Sequence, residues 1–231
     1  MSRKTLWGAF ATLMVLAASA CSSEYRATSP KEVRALAGSP EAVAAREEAE
    51  RNLRNIVETY AEHTPLALGL VVVHDECIGG RARRWLDPDG EEPYKIRCSM
   101  RVTAYYGAAP ERIVSVLDGI LAVGDRTGSG IAFTHHVDGP LVDQYRDGRD
   151  QEPEAPELSA PGQTLSWDPV RDDRPYLVFE EPQECPAGDL PLTRCVRDPE
   201  SGTVAAVRKR HGMVFRLALT APDYYRVLKK G

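Results

Sequence analysis

The stretch from Tyr94 to Tyr106 reads YKIRCSMRVTAYY, and its alternation decides the fold class. Tyr94, Ile96, Cys98, Met100, Val102 and Ala104 form one side, while Lys95, Arg97, Ser99, Arg101 and Thr103 form the other. Successive side chains of a strand point to opposite faces, so this pattern makes a strand with one dry and one wet face. Such strands belong to antiparallel sheets with one covered side. Upstream, Leu66 to Asp75 is valine-rich and apolar at nearly every position, as suits an interior strand. Pairing Cys77 opposite Cys98 puts Val71 and Val73 on the face of Met100 and Val102. Leu68, Leu70 and Val72 then require cover from another layer or an edge, and a β-bulge would relax that demand.

Helices flank this pair. Ser39-Pro40-Glu41 supplies an N-cap serine, a first-turn proline and a carboxylate at the positive helix end. Ala49, Leu53, Ile56, Val57 and Tyr60 recur at helical spacing, which predicts a helix from about 40 to 62. Pro110 starts a second helix with Ile113, Val114, Leu117, Ile120 and Leu121 as its buried stripe and Gly124 near its end. Further strands are expected at Ile131 to Val137 and Tyr176 to Phe179. A hairpin of Thr203 to Arg210 and Met213 to Thr220 is expected to turn at His211-Gly212, with a final helical turn over Ala221 to Leu228. The segment 147–169 is acidic, carries four prolines and reads as a mobile excursion. The expected fold is α+β, a mainly antiparallel twisted sheet with two helices packed on one face and disulfide staples.

Farther out, the first residues carry an address. Arg3 and Lys4 precede an apolar run from Leu6 to Leu16, then the small residues Ala17-Ala18-Ser19-Ala20. Basic, apolar and small is the layout of a secretory signal. The apolar run falls short of the roughly 20 residues that a spanning helix needs. Ala18-Ser19-Ala20-Cys21 resembles the lipobox of bacterial lipoproteins, departing from the commonest pattern at Ala18, where leucine is usual. The resemblance covers the signal region alone and implies a diacylglyceryl group on Cys21 after cleavage, not an activity. Plain secretion after an A-x-A site is the competing account, and it leaves an odd thiol at the mature terminus. The organisation expected is a signal peptide over 1–20, a lipidated terminus and tether over 21–39 with at most a turn or two of helix, and one α+β domain over 40–231. The expected address is the extracytoplasmic face of the cell membrane.

Spending Cys21 on lipid leaves Cys77, Cys98, Cys185 and Cys195, which outside the cytoplasm are expected to pair. Cys77–Cys98 and Cys185–Cys195 close the shortest loops, although spacing alone leaves three connectivities open. No cysteine pair has C-x₂-C spacing, so no zinc site and no other cofactor is expected. Removing Arg3 and Lys4 leaves 27 basic against 34 acidic residues, a net charge of −7, which argues against nucleic acid as a partner. Arginine outnumbers lysine 23 to 6, a bias that suits a GC-rich, for instance actinobacterial, genome.

Chemistry-bearing motifs are few. His135-His136-x-Asp138 and His74-Asp75-Glu76 are the candidates for a site, but on a strand His135 and His136 point apart and resist sharing one metal. Gly128-Ser129-Gly130 lacks nucleophile-elbow spacing and reads as a turn, as does Asp87-Pro88-Asp89-Gly90. Arg81, Arg83 and Arg84 with Trp85, and Arg208-Lys209-Arg210, read as solvated basic groups that could touch anionic surfaces. Two functions follow. The favoured one is a non-enzymatic envelope lipoprotein, held on the membrane, that binds a small ligand, a cell-wall polymer or an envelope protein. The other is an extracytoplasmic hydrolase or metal-dependent enzyme using His74, His135 or His136 with Asp75 or Asp138.

Overall fold

In a computed structural model, residues 27–81, 92–147, 156–168, 179–182 and 193–229 are described. The signal segment, Cys21, the Arg83-Arg84-Trp85 and Asp87–Gly90 stretches, Tyr176 and Cys185 lie outside the described residues. The protein is α+β. Its elements run α1 (Pro30–Ala37), α2 (Pro40–His63), β1 (Ala67–Gly79), β2 (Tyr94–Ala108), a 3₁₀ turn (Pro110–Arg112), α3 (Ile113–Gly124) and α4 (His135–Arg146). They continue with β3 (Glu157–Ala160), β4 (Gln163–Trp167), β5 (Thr193–Asp198), α5 (Val204–His211) and β6 (Met213–Leu228). The six strands form one sheet in the order β3-β4-β6-β2-β1-β5, and every pairing is antiparallel.

The central register is the one that the alternation predicts. Cys77 lies opposite Cys98 and forms a disulfide with it, while Val73 lies opposite Val102. Val71, Val73, Met100, Val102, Ala104 and Tyr106 join Phe215, Leu217 and Leu219 of β6 in the main core, covered by α2, α3 and α4. The other face is where the second apolar set goes. Leu70 and Val72 meet Tyr105 and Val214 beneath Val204 and Val207 of α5, and a register shift at Leu68/Leu70 leaves Leu68 41% exposed. Cover from a second layer and a bulge are therefore both present.

Four local expectations are overturned. Ile131 and Phe133 are buried as predicted, but no strand forms there; His135 onward is helical. Asp138 accepts a hydrogen bond from the Thr134 backbone at 3.0 Å and so caps α4, while Val142 is buried and Leu141 and Tyr145 pack against the core. Gly139 and Pro140 signal a break, and burial of that stripe outweighs them. The hairpin arm expected at Thr203 to Arg210 is instead α5. Thr203 caps it through Ala206, and Gly212 (φ 96°) ends it in the left-handed region rather than turning a hairpin.

Ala221 to Leu228 continues β6 as strand. The acidic excursion contains a hairpin, β3 and β4 joined through Gly162 (φ 79°), with Leu158, Leu165 and Trp167 buried. Pro161-Gly162 between alternating residues is a type II turn signal that composition had masked. Accordingly α4 joins α2 and α3 over the main core, α1 packs on the same face around Cys77 and Cys98, and α5 covers the other face.

The chain enters docked rather than free. Thr28 donates its backbone N–H to Gly80 O at 3.0 Å, and Val33 and Ala37 of α1 bury against Cys77, Ile96 and Cys98. The segment read as tether up to residue 39 is thus packed from residue 28 onward.

Candidate functional site

The sequence-predicted histidines do not meet. His74 projects from β1 on the α5 face, with Nε2 3.9 Å from Cys195 Sγ, and burial together with the nearby Arg101 cation lowers its pKa. His135 sits at the start of α4 on the opposite face. Its Nδ1 lies 2.6 Å from Asp125 and its Nε2 3.3 Å from Asp118, both on α3 or at its end. His136 is exposed, and Asp138 serves as the cap just described. Among the described residues no group of three or more histidine, cysteine or acidic side chains is arranged to hold a metal ion. Gly128-Ser129-Gly130 is a turn, with the Ser129 hydroxyl accepting from Ile131 N.

Asp75, the other member of the His74 motif, is 2% exposed and structural in its contacts. Its two oxygens accept from Arg46 Nε of α2 at 2.7 Å and from the Tyr224 hydroxyl at 2.6 Å. Tyr224 reaches it because β6 bulges. Cys98 pairs with Tyr225 and Met100 with Ala221, so extra residues stand on β6, among them Asp223 at φ 54°. Pro222 is tolerated there because the β4 pairing of β6 has already ended. Burial and the Asp75 carboxylate both push the Tyr224 phenol up. Burial opposes the Arg46 charge, and Asp75 with Tyr224 outweighs it. This clasp ties α2 to the sheet beside the Cys77–Cys98 staple. Cys195 is disulfide-bonded as well; Cys185, its expected partner, lies outside the described residues.

A cleft of about 890 Å³ opens on the other side, between β5, the turn that leads to α5 and the strap Phe179–Pro182. Cys195, Arg197, Glu200, Gly202, Thr203 and Glu181 are in its lining. Gly202 sits in a tight spot, where a Cβ would lie 3.0 Å from Pro199 O and 3.1 Å from Leu70 Cδ1. Polar groups pin the strap at two points. Glu181 accepts from Val204 N at 3.0 Å and Ala205 N at 2.8 Å at the start of α5, and from Arg197 at 3.1 Å. Burial opposes the Glu181 charge, but these amide donors hold its carboxyl below the usual range. Arg197 also donates to Gly202 O. Asp168, 5% exposed, accepts from Arg208 at 2.9 and 3.1 Å, from Phe179 N and from Val214 N.

Arg216 of β6 stacks over the Phe179 ring at 4.7 Å, opposite Tyr105 in the sheet register. Its Nε is buried and has no hydrogen-bond partner. Of this corner the sequence reading singles out only Arg208, as part of a solvated basic group, whereas it is paired with the buried Asp168; Asp168, Glu181, Arg197 and Arg216 share no spacing rule that would join them to it. Chemically the cleft offers a mixed polar and apolar lining, and among the described residues no nucleophile–base pair is found in it. No known protein family, curated protein or solved structure matches the chain.

Proposed function

We propose that the protein is a lipid-anchored, extracytoplasmic binding protein of the bacterial cell envelope, tethered through Cys21 and presenting the strap cleft away from the bilayer. One observation carries the reading. The chain enters the domain at Gly80, whereas the cleft begins where Cys195 pairs with His74, six residues back along β1 and on the opposite face of the sheet from α1. At about 3.3 Å per residue the two points stand roughly 20 Å apart along the strand. An anchor beside one end of β1 and a cleft farther along on the other face suit a domain that holds something out from a surface. The Cys77–Cys98 disulfide is consistent with an oxidising compartment. The closed, mutually paired polar groups around the cleft suit binding better than catalysis.

The test is expression of the full chain in a bacterial host, followed by intact mass and detergent phase partitioning. The mature protein is expected to begin at Cys21, to carry a diacylglyceryl mass and to enter the detergent phase, while Cys21→Ala stays in the aqueous phase. An unmodified amino terminus, or a wholly cytosolic wild type, overturns the proposal.

A further inference from the structure

We infer that the strap corner is an anion site, in which Arg216 and the Tyr105 hydroxyl receive a phosphate group of a soluble ligand. The corner adjoins the cleft through Glu181 and Arg197, whose charges both act on Tyr105, and the inference rests on the reading of that cleft as a binding site. Three arginines converge on the strap. Arg208 is paired with Asp168, and Arg197 with Glu181, so those four charges offset one another. Arg216 has no carboxylate partner among the described residues, although its Nε is buried and its guanidinium is covered on one side by Phe179. A half-buried cation that keeps an unused donor is costly to maintain unless something supplies the counter-charge. Directly across the strand pair stands Tyr105, within reach of the Arg216 charge, 5% exposed and with no hydrogen-bond partner for its hydroxyl among the described residues. The same face continues over Thr103 and Ala218, both only half-buried, to Arg101, exposed and without an ion-pair partner among the described residues. In a chain of net charge −5, two cations on one sheet face, neither with a carboxylate partner among the described residues, attract anions to that spot.

The donor set favours phosphate over carboxylate. A guanidinium and a phenol approach from adjacent strands, and the three terminal oxygens of a phosphate can accept from both at once. A soluble source is favoured over a lipid headgroup. Thr28 docks beside Gly80, whose N–H bonds Lys95, and Tyr105 lies ten residues farther along β2, roughly 33 Å at strand spacing. The seven residues from Cys21 to Ala27 span at most about 25 Å.

The probe is inorganic pyrophosphate, titrated calorimetrically into the full mature protein in nonionic detergent at low salt, with malonate as a parallel arm and phosphatidylglycerol vesicles offered without detergent to the Cys21→Ala protein. Saturable one-site binding by the wild type is expected. Arg216→Met, which keeps an apolar stem against Phe179, is expected to weaken it by about tenfold or more, with Arg216→Lys in between. Absence of saturable binding, equal affinity in Arg216→Met, or malonate bound as tightly as pyrophosphate overturns the inference. A response to vesicles alone overturns the soluble source. If Arg216→Met does not fold, Tyr105→Phe, which removes only the hydroxyl, carries the test and is expected to weaken binding severalfold. Measuring the Cys21 mass on the same preparation separates the two readings: a lipidated protein that ignores pyrophosphate loses the anion site and keeps its anchor.

Discussion

Replacing Asp75 with alanine is expected to be among the most damaging single changes away from the apolar core. The carboxylate is 2% exposed and carries two strong hydrogen bonds, from Arg46 at 2.7 Å and Tyr224 at 2.6 Å. Losing the Tyr224 bond costs about 1.5 kcal/mol, the low end for a bond to a charged group. Stranding the Arg46 guanidinium adds to that. Its side chain is 22% exposed and keeps a bond to Ala37 O at 3.3 Å, so the penalty falls below the full value for breaking a buried ion pair. We expect a total of about 3 kcal/mol for Asp75→Ala and about 1.5 kcal/mol for Tyr224→Phe.

With a urea m-value near 3 kcal/mol/M for a chain of this size, Asp75→Ala lowers the unfolding midpoint by about 1 M. Equilibrium urea unfolding followed by circular dichroism reads this directly. The double-mutant cycle is the sharper measurement. Arg46→Met is expected to cost much less in the Asp75→Ala background than alone, because the cation is then no longer paired there. A loss under 0.5 kcal/mol for Asp75→Ala, or strictly additive single changes, refutes the account of the clasp.

Two other predictions concern the staple and the histidine. Cys77→Ala/Cys98→Ala opens a cross-link between residues 21 apart and is expected to cost about 3 kcal/mol by loop-closure entropy, read as a lower melting temperature in the absence of reductant. A double variant as stable as the wild type would refute it. Hydrogen bonding to Asp125, then to Asp118, raises the pKa of His135. The protonated form is thus favoured by folding, and its contribution is complete below the unfolded pKa and is lost as pH rises through the folded value. His135→Ala is expected to lower stability by less than about 1 kcal/mol at pH 5.5, because the site is solvent-exposed, and to change nothing at pH 9. Equal losses at both pH values would show that the ring acts through packing instead.

What the amino-acid order determined alone was whatever depends on neighbours a few residues apart. Alternation over Tyr94 to Tyr106 set both faces of β2, and the opposed cysteines set the register of β1 against it. Ser39-Pro40-Glu41 set the start of α2, where the Ser39 hydroxyl accepts from Ala42 N. Short ambiguous runs were decided elsewhere. Thr203 to Arg210 has no strong period of two or of 3.6, and it becomes a helix because Leu70, Val72 and Val214 require an apolar lid that Val204 and Val207 supply. His135 to Arg146 coils despite Gly139 and Pro140 because Val142 is buried in a core built by residues far away in sequence. The strap corner lies farthest from local legibility. Its charges pair across strands and loops, and the lone state of Arg216 exists only after Asp168 and Glu181 have been taken by other arginines. Torsional preferences and burial periods act along the chain, so they can be read there; counter-charge acts through space, and only the folded arrangement says which cation is left without one.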